Sequence, residues 1–409
     1  MNRWKWLGVG ALGAFGLSVG GWCFATHHYE ARVDELRAEI ARRGWPTSES
    51  DVTGPLELTR DRAPLDGALA QLCEFPDHKG SDLAPVYRDL LRARGAATRN
   101  SAAWTKDLDA RKQALAAPEF DAFLAALDAV VAANEPCPMQ RLEPGLLVCN
   151  LRTALLSRAL GLVRIHAECA LGAGDTATAA RDAVRLLGVA QWLGEQSSSL
   201  SVMCGKSPRG NGLGVLRDVL DSGAALEPEQ RAELQALLER AQPEHEVVRA
   251  LDAERVLHGD RVWALLRGPD CDRWLDDDTT ALNGGALGRP FAARAEAIAL
   301  STWLVMREQA ERDPFTRPAD PDTRGWPEIS VRMTAALGSY FGNCVDERRA
   351  LDLAGLALAG SAPDAADAPR DPVSGAPYAT IDADGRRSLR ADSQGNPDSR
   401  WPLEWPLRG

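Results

Sequence analysis

The first strong pattern along the chain is an uninterrupted apolar run from Leu7 to Ala25, preceded by Arg3 and Lys5 and followed by His27, His28, Tyr29 and Glu30. At about 1.5 Å per residue the run makes roughly 28 Å of helix, close to the hydrocarbon thickness of a bilayer. A transmembrane helix is expected. The early basic residues keep the N-terminus in the cytoplasm by the positive-inside bias, so everything after residue 26 is expected outside it. A cleaved secretion signal is the competing reading, but the run exceeds the usual apolar region and Cys23-Phe24-Ala25 is a poor cleavage site. Bulky Trp22 argues against lipoprotein-type cleavage before Cys23. Gly16 and Gly20 form a GxxxG, which permits close helix pairing and equally describes a plain small-residue helix.

Beyond the run the period becomes that of amphipathic helices. Val33, Leu36 and Ile40 line one face of residues 28–43, which Gly44 and Pro46 end. A less regular stretch to about residue 80 holds one short helix near Leu65 to Phe75. The clearest unit is a helical hairpin, 145–171 with 175–195. Cys149, Leu156, Leu160, Val163, Ala167 and Ala170 make its apolar seam. Gly172 and Gly174 end its first helix, and Asp175 N-caps its second. It looks like one tetratricopeptide-type unit without a second copy at a period of about 34 residues. Further helices are expected at 101–116, 118–134, 212–221, 228–241, 243–267, 287–312 and 328–359, with polar connections at 268–285 and 313–327.

The expected fold is mainly α, with an N-terminal transmembrane helix, a multi-helix body built of helical hairpins and a small β-hairpin tail. Its segments are an anchor at 1–26, a helical stalk and connector at 27–81, an α-helical body at 82–360 and a Pro/Asp-rich tail at 361–409. Abundant alanine and leucine with few aromatics agree with helix over sheet. A net charge of −11 offers no basic patch for a phosphate backbone, so nucleic acid is excluded as a partner. Eight cysteines include no C-x-x-C pair, which speaks against a zinc knuckle or a thioredoxin-type site. Cys137 and Cys149 flank a short Pro-containing connection and are disulfide candidates; buried free thiols are the alternative.

Several apparent catalytic motifs fail. His245-Glu246 begins an H-E-x-x-H, but Arg249 stands where the second imidazole is needed. Gly205-Lys206-Ser207 imitates the end of a phosphate-binding loop, yet Leu200 replaces its first glycine. Gly210, Gly212 and Gly214 lack a βαβ context and read as a helix interruption. His166 and Glu168 resemble half of a deaminase signature without the following cysteines, and His166 aligns with Leu155, Ala159 and Leu162 as a core histidine. Asp270, Asp272, Asp276, Asp277 and Asp278 form a solvated acidic run or, less simply, a cation site. No catalytic, cofactor-binding or metal-binding residue is assigned, and no cofactor is implied.

The tail differs in kind. It contains seven prolines and seven aspartates, and Asp384-Gly385 signals a turn between short strands at 378–381 and 388–390. The run Asp371-Pro372-Val373-Ser374-Gly375-Ala376-Pro377-Tyr378, that turn, and the loop Asp392 to Asp398 together resemble the ending of an uncharacterised family of bacterial single-pass envelope proteins. The ending is also similar to the C-terminal loops of type II secretion major pseudopilins, where acidic and carbonyl oxygens bind calcium. Gln394 and Pro397 thin that oxygen set here. The resemblance extends through ELRAEIARRGWP, the Gly174-Asp175 turn and Ala253-Glu254-Arg255. It implies a helical protein anchored in the cytoplasmic membrane with a periplasmic body. Two classes of function remain: an interaction or scaffold protein of the envelope with a protein partner, or an envelope hydrolase with an acidic or metal-assisted site. The hydrolase would gather two or three carboxylates or histidines in one deep pocket.

Overall fold

The computed structural model describes residues 3–53, 88–89, 115–133, 139–142, 146–149, 153–195, 199–267, 285–316, 322–324, 330, 341, 344–383, 386–391 and 401–407, with side chains at 3–16, 130, 133–149, 153–155, 199–200 and 285–287 outside the description. These residues are mainly helical, with a small antiparallel sheet at the C-terminal end. Two compact units are present. One comprises 1–55, 141–148 and 248–342, and the other 56–140, 149–247 and 343–409.

The first unit is organised by α1 (Arg3–Arg42) and α10 (Gly285–Arg312). Val33, Leu36 and Ile40 are buried, so the predicted apolar face of residues 28–43 is a packing face. Three cross-helix pairs follow in step: Arg289 with Glu30 at 2.7 Å, Arg37 with Glu296 at 2.8 Å, and Arg43 with Glu308 at 3.3 Å. The helices therefore run parallel, and residues expected to form a stalk lie along the body. Beyond α2 (Glu49–Thr53), the same unit holds most of α8 (Pro243–Ala253), a π-helical turn (Glu254–Gly259) and α9 (Asp260–Arg267). The uniform helix expected at 243–267 thus contains a wider turn. It places Arg255 over the Trp303 ring at 4.7 Å and brings its guanidinium to Asp260 and the Pro46 carbonyl. Trp45 meets Trp303 edge-on at 5.4 Å and lies beside the guanidiniums of Arg43 and Arg307.

The second unit is built around α5 (Thr176–Gly194), which is buried on nearly all sides and packs against α3 (Pro118–Ala133), α4 (Thr153–Gly172), α6 (Ser199–Asp221) and α7 (Pro228–Arg240). A helix with apolar residues all round needs partners on every face. The α4–α5 turn is built as its sequence predicts. Gly174 takes φ of 80°, the Asp175 amide donates to Ala170 O at 2.9 Å, and the Asp175 side chain accepts from the Thr178 amide at 3.0 Å. Leu156, Leu160, Val163 and Ala167 are buried along the seam.

Three expectations are corrected. Residues 146–149 form β2, paired with β1 (Met139–Leu142), and α4 starts only at Thr153, so Cys149 belongs to a strand and not to the seam. A four-residue apolar run does not distinguish strand from helix by period. Gly210, Gly212 and Gly214 do not interrupt a helix, because α6 runs through them from Ser199 to Asp221. Gly212 reflects close packing, because a Cβ there would press on Leu187 and Leu186, as one at Gly205 earlier in the helix would meet the Ala190 carbonyl. Finally, the tail has a third strand. β3 (Ala379–Ala383) pairs with β4 (Arg386–Arg390), and β4 with β5 (Glu404–Leu407), all antiparallel. Pro406 is accommodated in it because β5 lies at the sheet edge, where a missing amide donor is tolerated. Asp384-Gly385, the acidic run at 270–278, the loop 392–398, Cys137 and the helix near 65–75 lie outside the described residues.

The tail packs through β4 and β5 on α11 (Cys344–Ala359), and β5 also meets α6. Trp405 is fully buried opposite Leu389, its indole donating to Pro402 O at 2.7 Å, and Trp401 and Tyr378 are buried too. The tail should therefore resist limited proteolysis from Asp371 onward. Trp401→Ala with Trp405→Ala, removing two buried indoles at about 3–5 kcal/mol each, should make it cleavable while the helices persist by circular dichroism. Equal resistance in the double variant would show that the tryptophans do not hold the tail.

Candidate functional site

Two polar centres stand out in the second unit, and both draw on residues of the rejected motifs. The first is sealed. Arg209 on α6, 1% exposed, donates to both oxygens of Glu246 at 2.5 and 3.0 Å and to Glu347, and Lys206 lies 3.6 Å from Glu347. Glu246 sits in the first turn of α8, where Pro243 sets the helix start, and Glu347 in the first turn of α11. Gly194 ends α5 beside them, and a Cβ there would overlap the Glu246 carboxylate. Burial opposes the Arg209 charge, but the two carboxylates outweigh it and hold the guanidinium firmly protonated. Burial also pushes the Cys344 thiol up, with Glu347 adding to the effect, so this cysteine stays protonated in the core. Lys206 and Glu246, once members of a false phosphate loop and a false zinc motif, are parts of one ion cluster. His245 instead faces solvent and pairs with Gln242.

A neighbouring set fixes the tail. Asp371 accepts from the amides of Val373 and Ser374 at 3.0 and 2.9 Å and from the Ser374 hydroxyl, while Arg349 of α11 donates to it at 2.6 and 3.2 Å. Gly375 closes the turn with φ of 68°. The D-P-x-S-G signature is therefore a carboxylate-centred turn bound to a helix. Tyr378 follows it and donates to Asp352 at 2.8 Å, and Asp352 also accepts from Arg348.

The second centre is open. A cavity of about 380 Å³ lies among Leu115, Ala116, Asp121, His166, Cys169, Ala170, Ala173, Asp175 and Thr178. His166, one quarter exposed, places Nδ1 2.6 Å from Asp182, which is fully buried. Arg185 holds the other Asp182 oxygen at 2.9 Å and grips Asp128 through two bonds of 2.8 Å. Asp128, Arg185, Asp182 and His166 form a relay that orients the imidazole. His166 is consequently not the apolar core histidine its neighbours Ala159 and Leu162 suggested. Its ring packs on Phe120, with centroids 5.4 Å apart, and forms part of the cavity wall. Glu168 points elsewhere, bound to the buried Arg164 at 2.7 Å. No known protein family matches this chain, and no curated protein and no solved structure is similar to it.

Among the described residues no group of three His, Cys, Asp or Glu side chains could hold a metal ion. Cys23, Cys169, Cys204 and Cys344 form no disulfide. Sequence reasoning had no route to the ion cluster, whose members are 37 and 138 residues apart. The only local signal was charge inside otherwise apolar helices.

Two outcomes are expected. Arg209→Met should destabilise the second unit by about 3–5 kcal/mol, because Glu246 and Glu347 lose their common partner while buried; urea unfolding measures this. At Asp371, burial alone would raise the pKa, but Arg349 and the turn amides outweigh it and hold the carboxyl below its ordinary value of 3.8. A depressed folded pKa contributes stability that is present above the unfolded value and is lost as pH falls through the folded one. Tail protection from protease should therefore decay below about pH 4. Asp371→Asn should weaken docking at neutral pH by about 1.5–3 kcal/mol and remove that part of the acid dependence.

Proposed function

We propose that this protein is a membrane-anchored platform of the cell envelope: one N-terminal helix holds it in the cytoplasmic membrane, and a helical body outside the cytoplasm presents surfaces to a protein partner. The observation that carries this reading is where α1 leaves its packing partner. Continuing the register of the Glu30–Arg289 and Arg37–Glu296 pairs puts Gly285, the first residue of α10, level with Thr26. Thr26 is buried, whereas Leu17, Val19 and Phe24 are 80, 44 and 73% exposed. Apolar side chains left bare on a helix that is clamped further along suit a lipid environment. Among the described residues no helix is long and apolar enough to cross a membrane, and the side chains of Leu7 to Gly16, the larger part of the run, lie outside them.

The platform part of the reading is supported by how the buried carboxylates are used. Asp182, Glu246, Asp252, Glu296, Glu347, Asp352 and Asp371 each pair with an arginine of the same unit. The pairs of Glu246, Asp252, Glu296 and Glu347 join different helices and fix which of them meet, and a rigid helical body serves recognition.

A reporter active only in the cytoplasm, fused after residue 409, should be silent, and the full chain should stay in the membrane pellet through an alkaline carbonate wash. Deleting residues 1–25 should release the body. Strong reporter activity would overturn the topology, and release of the intact chain by carbonate would overturn the anchor.

A further inference from the structure

The tail sheet has an open edge. Its strand order is β3-β4-β5, and among the described residues no backbone group bonds to the outer side of β3. A row of unpaired amides and carbonyls is a template for another strand. The opposite edge, β5, is blunted by Pro406, whereas β3 carries no proline and a single charge, Asp382.

The hydrogen-bond alternation fixes which groups of β3 face outward. The Ala391 amide donates to Leu403 O at 3.3 Å, one step beyond the Arg390–Glu404 pair. Ala391, Leu389 and Arg387 therefore exchange bonds with β5, and Arg390, Ser388 and Arg386 with β3. Pro406, opposite Ser388, falls where its missing amide would point away from β4. Within β3 the bonded residues are Ala379, Ile381 and Ala383, so the backbone groups of Thr380 and Asp382 point out of the sheet. Ala379, Thr380 and Asp382 are exposed and Ile381 is half-buried, so the edge is accessible.

The strand is also complementary to itself. Turned end for end about Ile381, the sequence Ala-Thr-Ile-Asp-Ala brings Thr380 opposite Asp382, Ile381 opposite Ile381 and Ala379 opposite Ala383. Thr380 and Asp382 then exchange backbone bonds, with a hydroxyl beside a carboxylate, and the two isoleucines meet at a close, non-hydrogen-bonded position. Like charges do not face each other, and Asp382 keeps Arg387 of its own sheet at 3.3 Å. The neighbouring registers fail. Centred on Asp382, the strands set carboxylate against carboxylate. Centred on Thr380, they run past the strand into Pro377, which is already bridged to Arg370.

We propose that β3 is an interface between two copies of this chain, paired antiparallel about a two-fold axis at Ile381 so that two tail sheets become one continuous sheet. The contact is isologous and closes on itself, because pairing uses up the edge that lacks a proline. It goes beyond the platform reading, since the partner is the chain itself, and it does not require α1 to span a membrane.

The test uses the full chain in a large excess of detergent micelles, so that copies seldom share one. Ile381→Cys, Arg390→Cys and the unsubstituted chain are oxidised in parallel with copper phenanthroline. Position 381 lies on the axis, where a cross-strand cysteine pair meets disulfide geometry. Arg390 lies on the same face, one strand further in, opposite Ala379. Ile381→Cys should give a disulfide-linked dimer, and Arg390→Cys no more than the unsubstituted chain, whose eight cysteines set the background. Adding Thr380→Pro to Ile381→Cys removes an outward amide that the tail itself does not use, and should abolish the cross-link while the tail stays protease-resistant. Thr380→Asp in the same background sets carboxylates opposite each other and should also suppress the cross-link, and Asp382→Thr added to it should restore complementarity and the dimer. Equal cross-linking of Ile381→Cys and Arg390→Cys would overturn the proposal. So would a cross-link that persists with Thr380→Pro or is unchanged by Thr380→Asp.

Discussion

The second unit depends on one buried guanidinium. Arg209 is the common partner of Glu246 and Glu347, which arrive from the first turns of α8 and α11, so the cost of burying any one of the three charges is met only when all are in place. Such an arrangement selects a single packing more than it adds stability. An apolar cluster of the same volume could slide, whereas a bidentate arginine fixes both partners in position and orientation. The absence of a side chain at Gly194 belongs to the same constraint, because the end of α5 must let a carboxylate approach.

The tail extends this logic. Asp371 uses its oxygens both to close a tight turn and to receive Arg349, so the local fold of the tail and its attachment to α11 form together. Tyr378 and Asp352 repeat the attachment seven residues further on, and burial pushes both groups toward their neutral forms. Leu389 and Trp405 then supply the apolar contact that the charged pairs alone would not.

The first unit solves a different problem with the same chemistry. Its first helix carries an apolar run at one end and must be held by the other. The parallel pairing with α10 does this through a ladder of arginine and glutamate contacts flanking the buried Val33, Leu36 and Ile40. Trp45 closes the ladder, with its indole donating to Glu311 and its faces lying near two arginines. A helix gripped in this way is fixed in orientation along α10.

The sequence by itself determined whatever depends on neighbours a few residues apart. The helical class, the α4–α5 turn with Gly174 and Asp175, the starts at Pro118, Pro228 and Pro243, and the buried stripe at 33, 36 and 40 all follow from capping, proline geometry and the 3.6-residue period. The β3–β4 pairing was legible from the Asp384-Gly385 turn signal between two short extended stretches. Only the tertiary structure decided what the polar residues inside those helices do. Lys206 and Glu246 looked like fragments of unrelated motifs, and Arg209 and Glu347 carried no signal, because the contacts that unite them join residues 37 and 138 positions apart. His166 looked like a core residue because the periodicity of α4 shows which face is apolar and not that Asp182 approaches it from α5. Gly212 of α6 read as part of a break for the same reason: a missing side chain signals flexibility locally, and close contact only once the neighbouring helix is in place.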